Sequence, residues 1–281
     1  MTPPGGGTVR AVIPPADRTA TFRALHVPGR PLLMPNPWDA GTARLLASLG
    51  FLALATTSSG HAATLGLPDG AVGRDDAIAH AALIVDAVDV PVSADLEDGF
   101  GDGPDAVFAT VTDAVSAGLA GCSIEDYGTA GEAIHAIGPA AERVAAAAAA
   151  ARSGSGIVLT ARAENFIRGN PDLADTIARL QAYQEAGADV LYAPGLTDLD
   201  DLRRVIAEVD LPVNVLALPG LSVGTLAEVG AARISVGGSL NHAMLAALAR
   251  FGRELLDHGT FGFLPDAAEG RAAAATVFHP G

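Results

Sequence analysis

The side chains best placed to do chemistry in this chain are acidic and crowd into three short stretches. Ser93-Ala94-Asp95-Leu96-Glu97-Asp98-Gly99-Phe100-Gly101 supplies Asp95, Glu97 and Asp98; Ser123-Ile124-Glu125-Asp126 adds Glu125 and Asp126; Thr160-Ala161-Arg162-Ala163-Glu164-Asn165 sets Arg162 beside a further acid. Asp95 and Glu97 are two apart, so on an extended backbone both point the same way. Glu125, from a neighbouring strand end, reaches the same volume. Carboxylates pushed together repel and raise one another's pKa, and a divalent cation relieves that. All-oxygen ligands with room for water favour Mg²⁺ or Mn²⁺ over zinc. Capping of helices or pairing with arginines would use the same acids structurally. Arg162 could grip a carboxylate or phosphate with both arms of its fork, or form a salt bridge to Glu125 or Glu164.

Other positions carry weaker signals. Thr56-Thr57-Ser58-Ser59-Gly60-His61 is a small hydroxyl-rich turn, and Asn214 sits in an apolar run. Gly237-Gly238-Ser239 could offer backbone N–H groups to a phosphate, although a tight turn into a helix needs the same residues. Trp38 could wall a pocket mouth or simply pack the loop around it. His61, His135 and His242 show no metal-ligand spacing. Cys122, in an apolar context, reads as a core residue.

Such side chains need a scaffold that gathers them. Apolar or β-branched runs recur at Leu32–Met34, Phe51–Thr56, Val90–Asp95, Gly121–Glu125, Ile157–Ala163, Asp189–Ala193, Val213–Leu218 and Arg233–Val236, spaced as in repeated strand–helix units. Helix signals fill the gaps: Pro104 opens a segment through Gly118, Pro171 precedes an amphipathic run to Ala186, and Ser222 caps a short helix ending at Gly230. The Ala145–Ala151 run is ordinary helix. Eight such units predict an α/β fold, a (β/α)8 TIM barrel occupying 1–281 as one domain, with 1–18 and 265–281 as tails or oligomer contacts. No GxGxxG follows the first strand, which disfavours an open doubly wound sheet. In a barrel, every stretch named above falls at a strand's C-terminal end, where active sites sit.

The totals narrow the partners. The 281 residues carry a formal net charge of −15 and 49% hydrophobic residues. Nucleic acid is therefore not an expected partner, and a disordered chain is excluded. No apolar run approaches the ~20 residues of a membrane span. The N-terminal stretch lacks a signal-peptide core, and the single cysteine fits a reducing compartment, so a cytoplasmic location is expected. All 17 basic residues are arginine. Without lysine, Schiff-base catalysis and a Walker-type phosphate loop are impossible.

Met34-Pro35-Asn36-Pro37-Trp38-Asp39-Ala40, Gly66-Leu67-Pro68-Asp69-Gly70, Asp95 through Gly101, Ile124-Glu125-Asp126 and Thr160-Ala161-Arg162 together resemble the isocitrate lyase and phosphoenolpyruvate mutase superfamily over about Phe22 to Leu256. The resemblance implies a barrel that binds Mg²⁺ and a 2-oxo-acid-like ligand and forms dimers or tetramers by exchanging its last helix. It implies metal-site roles for Asp95, Glu97 and Glu125, and a substrate-carboxylate role for Arg162. Oxo-acid binding falls to Thr57, Ser58 and Gly60, with Trp38 and Asn214 near the substrate. Asp69 matches the acid of the following loop, and with Arg162 and Glu125 it completes the catalytic candidates. The chain departs from the family's lyases after the fourth strand. Their Lys-Lys/Arg-Cys-Gly gating motif is replaced by Tyr127-Gly128-Thr129-Ala130-Gly131-Glu132-Ala133-Ile134-His135, and Pro194 stands where they carry a glutamate. Tyr127 or His135 is then the expected proton source.

The expected function is Mg²⁺-dependent C–C cleavage, or decarboxylation, of a small 2-hydroxy or 2-oxo carboxylic acid through a stabilised enolate. Phosphonopyruvate-type C–P hydrolysis or rearrangement is the alternative enzyme, and an oxo-acid-binding barrel without catalysis the alternative from another class.

Overall fold

The structure is a computed structural model that describes residues 15–128, 131–154 and 156–278. Eight strands form one sheet: β1 Leu32–Met34, β2 Leu54–Ala55, β3 Val92–Asp95, β4 Gly121–Glu125, β5 Val158–Arg162, β6 Val190–Tyr192, β7 Val213–Leu216 and β8 Arg233–Ser235. Every pairing is parallel, and the order runs β1-β8-β7-β6-β5-β4-β3-β2. The open edges β1 and β2 meet at a seam. There the Ala55 N–H donates to the Pro35 carbonyl at 3.1 Å, and Asn36 Nδ2 donates to the Thr56 carbonyl at 3.0 Å. Asn36 Oδ1 in turn accepts from the N–H groups of Val236 and Gly237. One side chain thus ties the ends of β1, β2 and β8 together, completing the near-closed (β/α)8 barrel.

The strands lie where the apolar runs predict, though six of the eight are shorter than the runs. Phe51–Thr56 shrinks to Leu54–Ala55 because Leu52 is exposed and Phe51 only half-buried, packed against the helical layer rather than paired in the sheet. Helices Gly103–Ser116, Ile137–Ala151 and Leu173–Glu185 match expectation closely, and the alanine run lies inside the second of them. The Ser222 hydroxyl accepts from the Thr225 N–H, as a cap should. At the ends, helix Pro15–Ala24 takes in part of the expected N-terminal tail, and the C-terminal stretch is helical over Leu264–Val277. The rest of 1–18 lies outside the described residues.

Strand alternation sorts the core into two volumes. Outward residues such as Leu54, Val92, Leu159 and Leu191 pack against the helices. Inward residues at the lower end of the barrel, Leu32, Val158 and Val190 among them, close around Phe22 from helix Pro15–Ala24. A Cβ at Gly121 would meet the Phe22 ring at 2.6 Å, so only glycine lets this plug seat fully. With the lower end stoppered, chemistry is confined to the opposite mouth. A two-stranded antiparallel ribbon, Tyr127–Gly128 with Ala133–Ile134, follows β4 at that mouth.

Candidate active site

A cavity of about 160 Å³ opens at the C-terminal ends of the strands. Thr57, Ser58, Asp69, Asp95, Arg162 and Asn214 all line it, joined by Ser123, Tyr192, Arg233 and Ser235. Its size suits a small acid. A larger cavity of about 420 Å³ lies against the first helix among Leu25, Val27, Leu33 and Leu52, but Arg30 is its one ionisable lining residue.

Arg162, at the end of β5, is the centre of the charge. Its Nη1 lies 2.9 Å from Asp95 Oδ1, its Nη2 3.1 Å from Glu125 Oε2 and 2.8 Å from Glu164 Oε1. Parallel register explains the meeting, because Glu125 stands directly beside Arg162 across β4 and β5. Arg168 adds a second cation, 3.4 Å from Glu125 and 3.3 Å from Glu164. Both readings of Arg162 thus meet in one place: it lines the ligand cavity, and its fork is already held by acids. Burial pushes the Glu125 carboxyl above its usual value, with Arg162 opposing that shift.

Glu97 behaves differently. It does not continue β3: the strand ends at Asp95, and Glu97 adopts the left-handed region at φ 48°, followed by Phe100 at φ 57°. The extended-backbone argument for Asp95 and Glu97 is therefore corrected. A tight loop, not strand alternation, sets Glu97, which still lines a small cavity with Asp95, Thr57 and Ser58; such conformations in non-glycine residues are costly and cluster at functional sites. Glu97 is only 7% exposed, and burial followed by repulsion from Asp95, Asp69 and Asp98 pushes its pKa up to about 8. This is a carboxylate short of positive charge. Among the described residues no three acid, His or Cys side chains already surround one point. Mg²⁺ does not require that, since it commonly keeps several waters and takes one or two carboxylates. The donor set fits such an ion: oxygen ligands only, with the charge of Arg162 too weak to offset the burial of Glu97 and its repulsion by Asp95.

The remaining expected residues divide. The Thr57 hydroxyl caps helix Ser58–Thr64, and the Ser58 N–H donates to Asp95 Oδ2 at 3.2 Å. Gly60 and Trp38 do not line the cavity. A Cβ on Gly60 would sit 2.5 Å from Thr57 Cγ2 and 3.4 Å from Trp38 Cβ, so both pack behind the turn. Asn214 lines the cavity with both amide ends engaged: Oδ1 accepts from Arg233 Nε at 2.9 Å, and Nδ2 donates to Ser235 Oγ at 3.0 Å. The Val236 and Gly237 N–H groups, held by Asn36, favour the tight-turn reading of the glycine pair. Asp126 is consumed structurally by the Tyr183 hydroxyl at 2.5 Å, Arg179 at 3.0 Å and the Glu164 N–H at 2.9 Å. Tyr127 lies under the Arg168 guanidinium at 3.6 Å. His135 lines a separate cavity with Glu97, Asp98 and Arg143, and His61 stacks on His80 at 3.7 Å. Cys122 is fully buried, its thiol pushed up to about 12.

Tyr192, Arg233 and Ser235 were not singled out by sequence reasoning, whereas Glu164 is the salt-bridge partner of Arg162 that it named. Arg233 is 3% exposed and has neutral partners only in its three hydrogen bonds: Asn214, Thr160 Oγ1 at 3.1 Å and His26 Nε2 at 3.2 Å. An arginine opening the strand Arg233-Ile234-Ser235 was the available signal, because alternation puts 233 and 235 on one face.

The whole arrangement has known counterparts. The family model described as phosphoenolpyruvate phosphomutase matches residues 22–256. A crystal structure from Burkholderia cenocepacia J2315, described as a candidate lyase/mutase, superposes with TM-score 0.89 at 50% identity, covering 95% of this chain and 97% of that one. The 2-methylisocitrate lyase of Escherichia coli K12 is 32% identical over 225 residues, 76% of this chain and 75% of its own. A 2,3-dimethylmalate lyase structure gives TM-score 0.79 at 28% identity over 89% of this chain and 90% of that one. The barrel, its acidic mouth and these matches place the chain in the phosphoenolpyruvate mutase/isocitrate lyase superfamily, a family of enzymes acting on small carboxylates.

Proposed function

We propose that the protein is a Mg²⁺- or Mn²⁺-dependent lyase that breaks a C–C bond in a small 2-hydroxy or 2-oxo carboxylic acid, by retro-aldol cleavage or decarboxylation through an enolate. The observation that carries this reading is that a charge-poor acid, Glu97, shares a small cavity with Asp95, the acid paired to Arg162. Asp95, Glu97 and Glu125 would hold the ion, which when bound supplies Lewis-acid stabilisation of negative charge on the enolate oxygen. Arg162 receives the substrate carboxylate on the fork that Asp95 and Glu125 now occupy. Thr57 and Ser58 present hydroxyl and backbone N–H groups at the cavity wall, and Asp69 adds a carboxylate at its rim. The two named relatives act, by their names, on branched or substituted hydroxy acids, which supports C–C over C–P chemistry here.

Helix Ser239–His258 supports a homodimer or homotetramer. Asn241 is its one buried residue, while Leu240, Met244, Leu248 and Leu255 form an exposed apolar stripe, Leu248 at 67%. We assign this face to a second copy, by exchange of the helix between protomers. No described helix is long and apolar enough to cross a membrane, and a buried free cysteine fits a cytoplasmic location.

The test is calorimetry of oxalate, a mimic of the pyruvate enolate, with and without Mg²⁺, followed by turnover on 2-methylisocitrate, 2,3-dimethylmalate and oxaloacetate. Tight binding only with Mg²⁺ is expected. No binding in either condition would end the metal and oxo-acid reading.

A further inference from the structure

The lyase reading leaves one role unfilled, because a carbanion made by C–C cleavage must be protonated. Neither expected donor reaches the chamber of Arg162: Tyr127 lies beneath Arg168, and His135 faces another cavity. Cys122 is sealed in the core. Tyr192, at the end of β6, does line the chamber, with Arg162 Cζ 5.2 Å from its ring centre.

We propose that Tyr192 is the proton donor of this site and that a hydrogen-bonded chain running to the buried Arg233 stabilises the phenolate it leaves. The chain runs in one direction. Arg233 Nε donates to Asn214 Oδ1, which fixes the amide so that Nδ2 donates to Ser235 Oγ. Ser235, whose Oγ accepts that bond, lines the same chamber as Tyr192, and its hydroxyl favours the phenolate. Arg233 has neutral partners in all three of its hydrogen bonds, so its charge is available to an anion that appears above it. The His26 ring accepts from Arg233 through Nε2 while its Nδ1 faces the Phe22 carbonyl, so it is held neutral and does not compete. The charged groups facing Tyr192 are Arg162 from β5, Glu164 beyond it, Asp95 from β3 and Arg233 from β8. The two guanidinium groups favour the phenolate and the two acids oppose it. Burial outweighs both guanidinium groups and pushes the phenol up to about 12, so the group carries its proton at neutral pH and acts as an acid.

The step balances within the substrate. As the C–C bond breaks, its electron pair passes to the enolate carbon, which takes the Tyr192 proton. The substrate hydroxyl loses its proton to water as it becomes a carbonyl, and the phenolate recovers one from water. Net, one proton moves from oxygen to carbon, and no oxidant or reductant is consumed.

This assignment rests on the lyase reading, so its test separates the two. By microscopic reversibility the same group must exchange with solvent the α-protons of the acid that leaves as the carbanion, propionate from 2,3-dimethylmalate or succinate from 2-methylisocitrate, when pyruvate is bound beside it. In D₂O with Mg²⁺ and pyruvate, ¹H NMR should show α-deuteration of propionate or succinate by the wild type. Tyr192→Phe should slow it by about 10²–10⁴-fold, the usual range for losing a general acid, while Mg²⁺-dependent oxalate affinity stays within about threefold. Ser235→Ala should retain exchange but slow it with oxalate affinity unchanged, and Ser235→Thr, which keeps the hydroxyl, should restore the rate; a purely structural role for Ser235 would not make the rate follow the hydroxyl. Exchange by Tyr192→Phe within threefold of wild type overturns the assignment. So does loss of exchange together with oxalate binding, which would make Tyr192 a wall. Oxalate binding by a wild type that exchanges nothing also overturns it, leaving the metal reading intact. Absence of oxalate binding by the wild type removes the lyase reading itself.

Discussion

Arg162 Nη1 lies 2.9 Å from Asp95 Oδ1, so the residue assigned to the substrate and a residue assigned to the metal are each other's partners in this structure. Neither ligand can take its place without disturbing that pair. A cation that draws Asp95 away frees one arm of the Arg162 fork, and a carboxylate on Arg162 releases Asp95. Mg²⁺ and oxalate should therefore bind cooperatively. We expect each to raise the other's affinity at least about tenfold, a coupling of about 1.4 kcal/mol. Titrating oxalate across a series of fixed Mg²⁺ concentrations measures this; equal oxalate affinity throughout would contradict it. Arg162→Gln should weaken oxalate by a further 10²-fold or so, since a bidentate charged contact is lost.

Glu97 gives the site a pH signature. Its carboxyl titrates near 8 in the fold against 4.5 as an ordinary glutamate. The folded state therefore holds an extra proton between those values. Stability from this group is complete below pH 4.5 and is lost as pH rises through about 8, at roughly 1.4 kcal/mol per unit of displacement. Without metal, thermal midpoints should fall between pH 5 and 8.5, and Mg²⁺ should restore them most at the alkaline end, where the carboxylate is ionised. Glu97→Gln should flatten the alkaline fall and abolish the Mg²⁺ rescue and metal-dependent turnover, with the fold retained. An unchanged Mg²⁺ rescue in that variant would remove Glu97 from the metal site.

His26 works in the opposite direction. Burial, then the charge of Arg233, holds its pKa down to about 3 against 6.5 when unfolded. The unfolded chain thus binds more protons between those values. Stability from His26 is complete above pH 6.5 and lost as pH falls toward 3. His61, lowered to about 4, and His80, also lowered, act with it, each because of burial first. Thermal melts should show an acid limb beginning near pH 6.5. His26→Gln, whose amide oxygen can still accept from Arg233, should make that limb shallower; an acid limb of undiminished slope would show that other groups govern it.

The acid cluster was legible because it is local: Asp95, Glu97 and Glu125 announce themselves by type and by their place at strand ends. What the spacing could not carry was the direction of Glu97, since one positive φ cancels the alternation on which the inference depended. Arg233 and Tyr192 escaped for another reason. Each is a single inward residue in an apolar strand, and its meaning comes from neighbours 19 and 43 residues away, Asn214 for one and Ser235 for the other. Gly60 and Trp38 went the other way: both are legible locally, but both pack behind the turn instead of facing the cavity. Motif reading finds residues that act through type and spacing, whereas residues that act through barrel layers need the register.

The plug at the lower end of the barrel sets a stability requirement separate from the chemistry. Phe22 is fully buried against Leu32, Val158 and Val190 and stands edge-on to His26 at 4.7 Å. Phe22→Ala should cost about 3–5 kcal/mol through lost contacts and an unfilled cavity. Gly121→Ala places a methyl 2.6 Å from the Phe22 ring and 2.9 Å from the Val158 carbonyl oxygen, so overpacking of about 1–3 kcal/mol is expected. Combining Gly121→Ala with Phe22→Leu should recover only part of that cost, because the smaller side chain relieves the ring contact and cannot move a strand carbonyl. Urea denaturation of the three variants and the wild type decides the matter: full recovery would place the whole clash on the Phe22 side chain, and none would place it on the backbone.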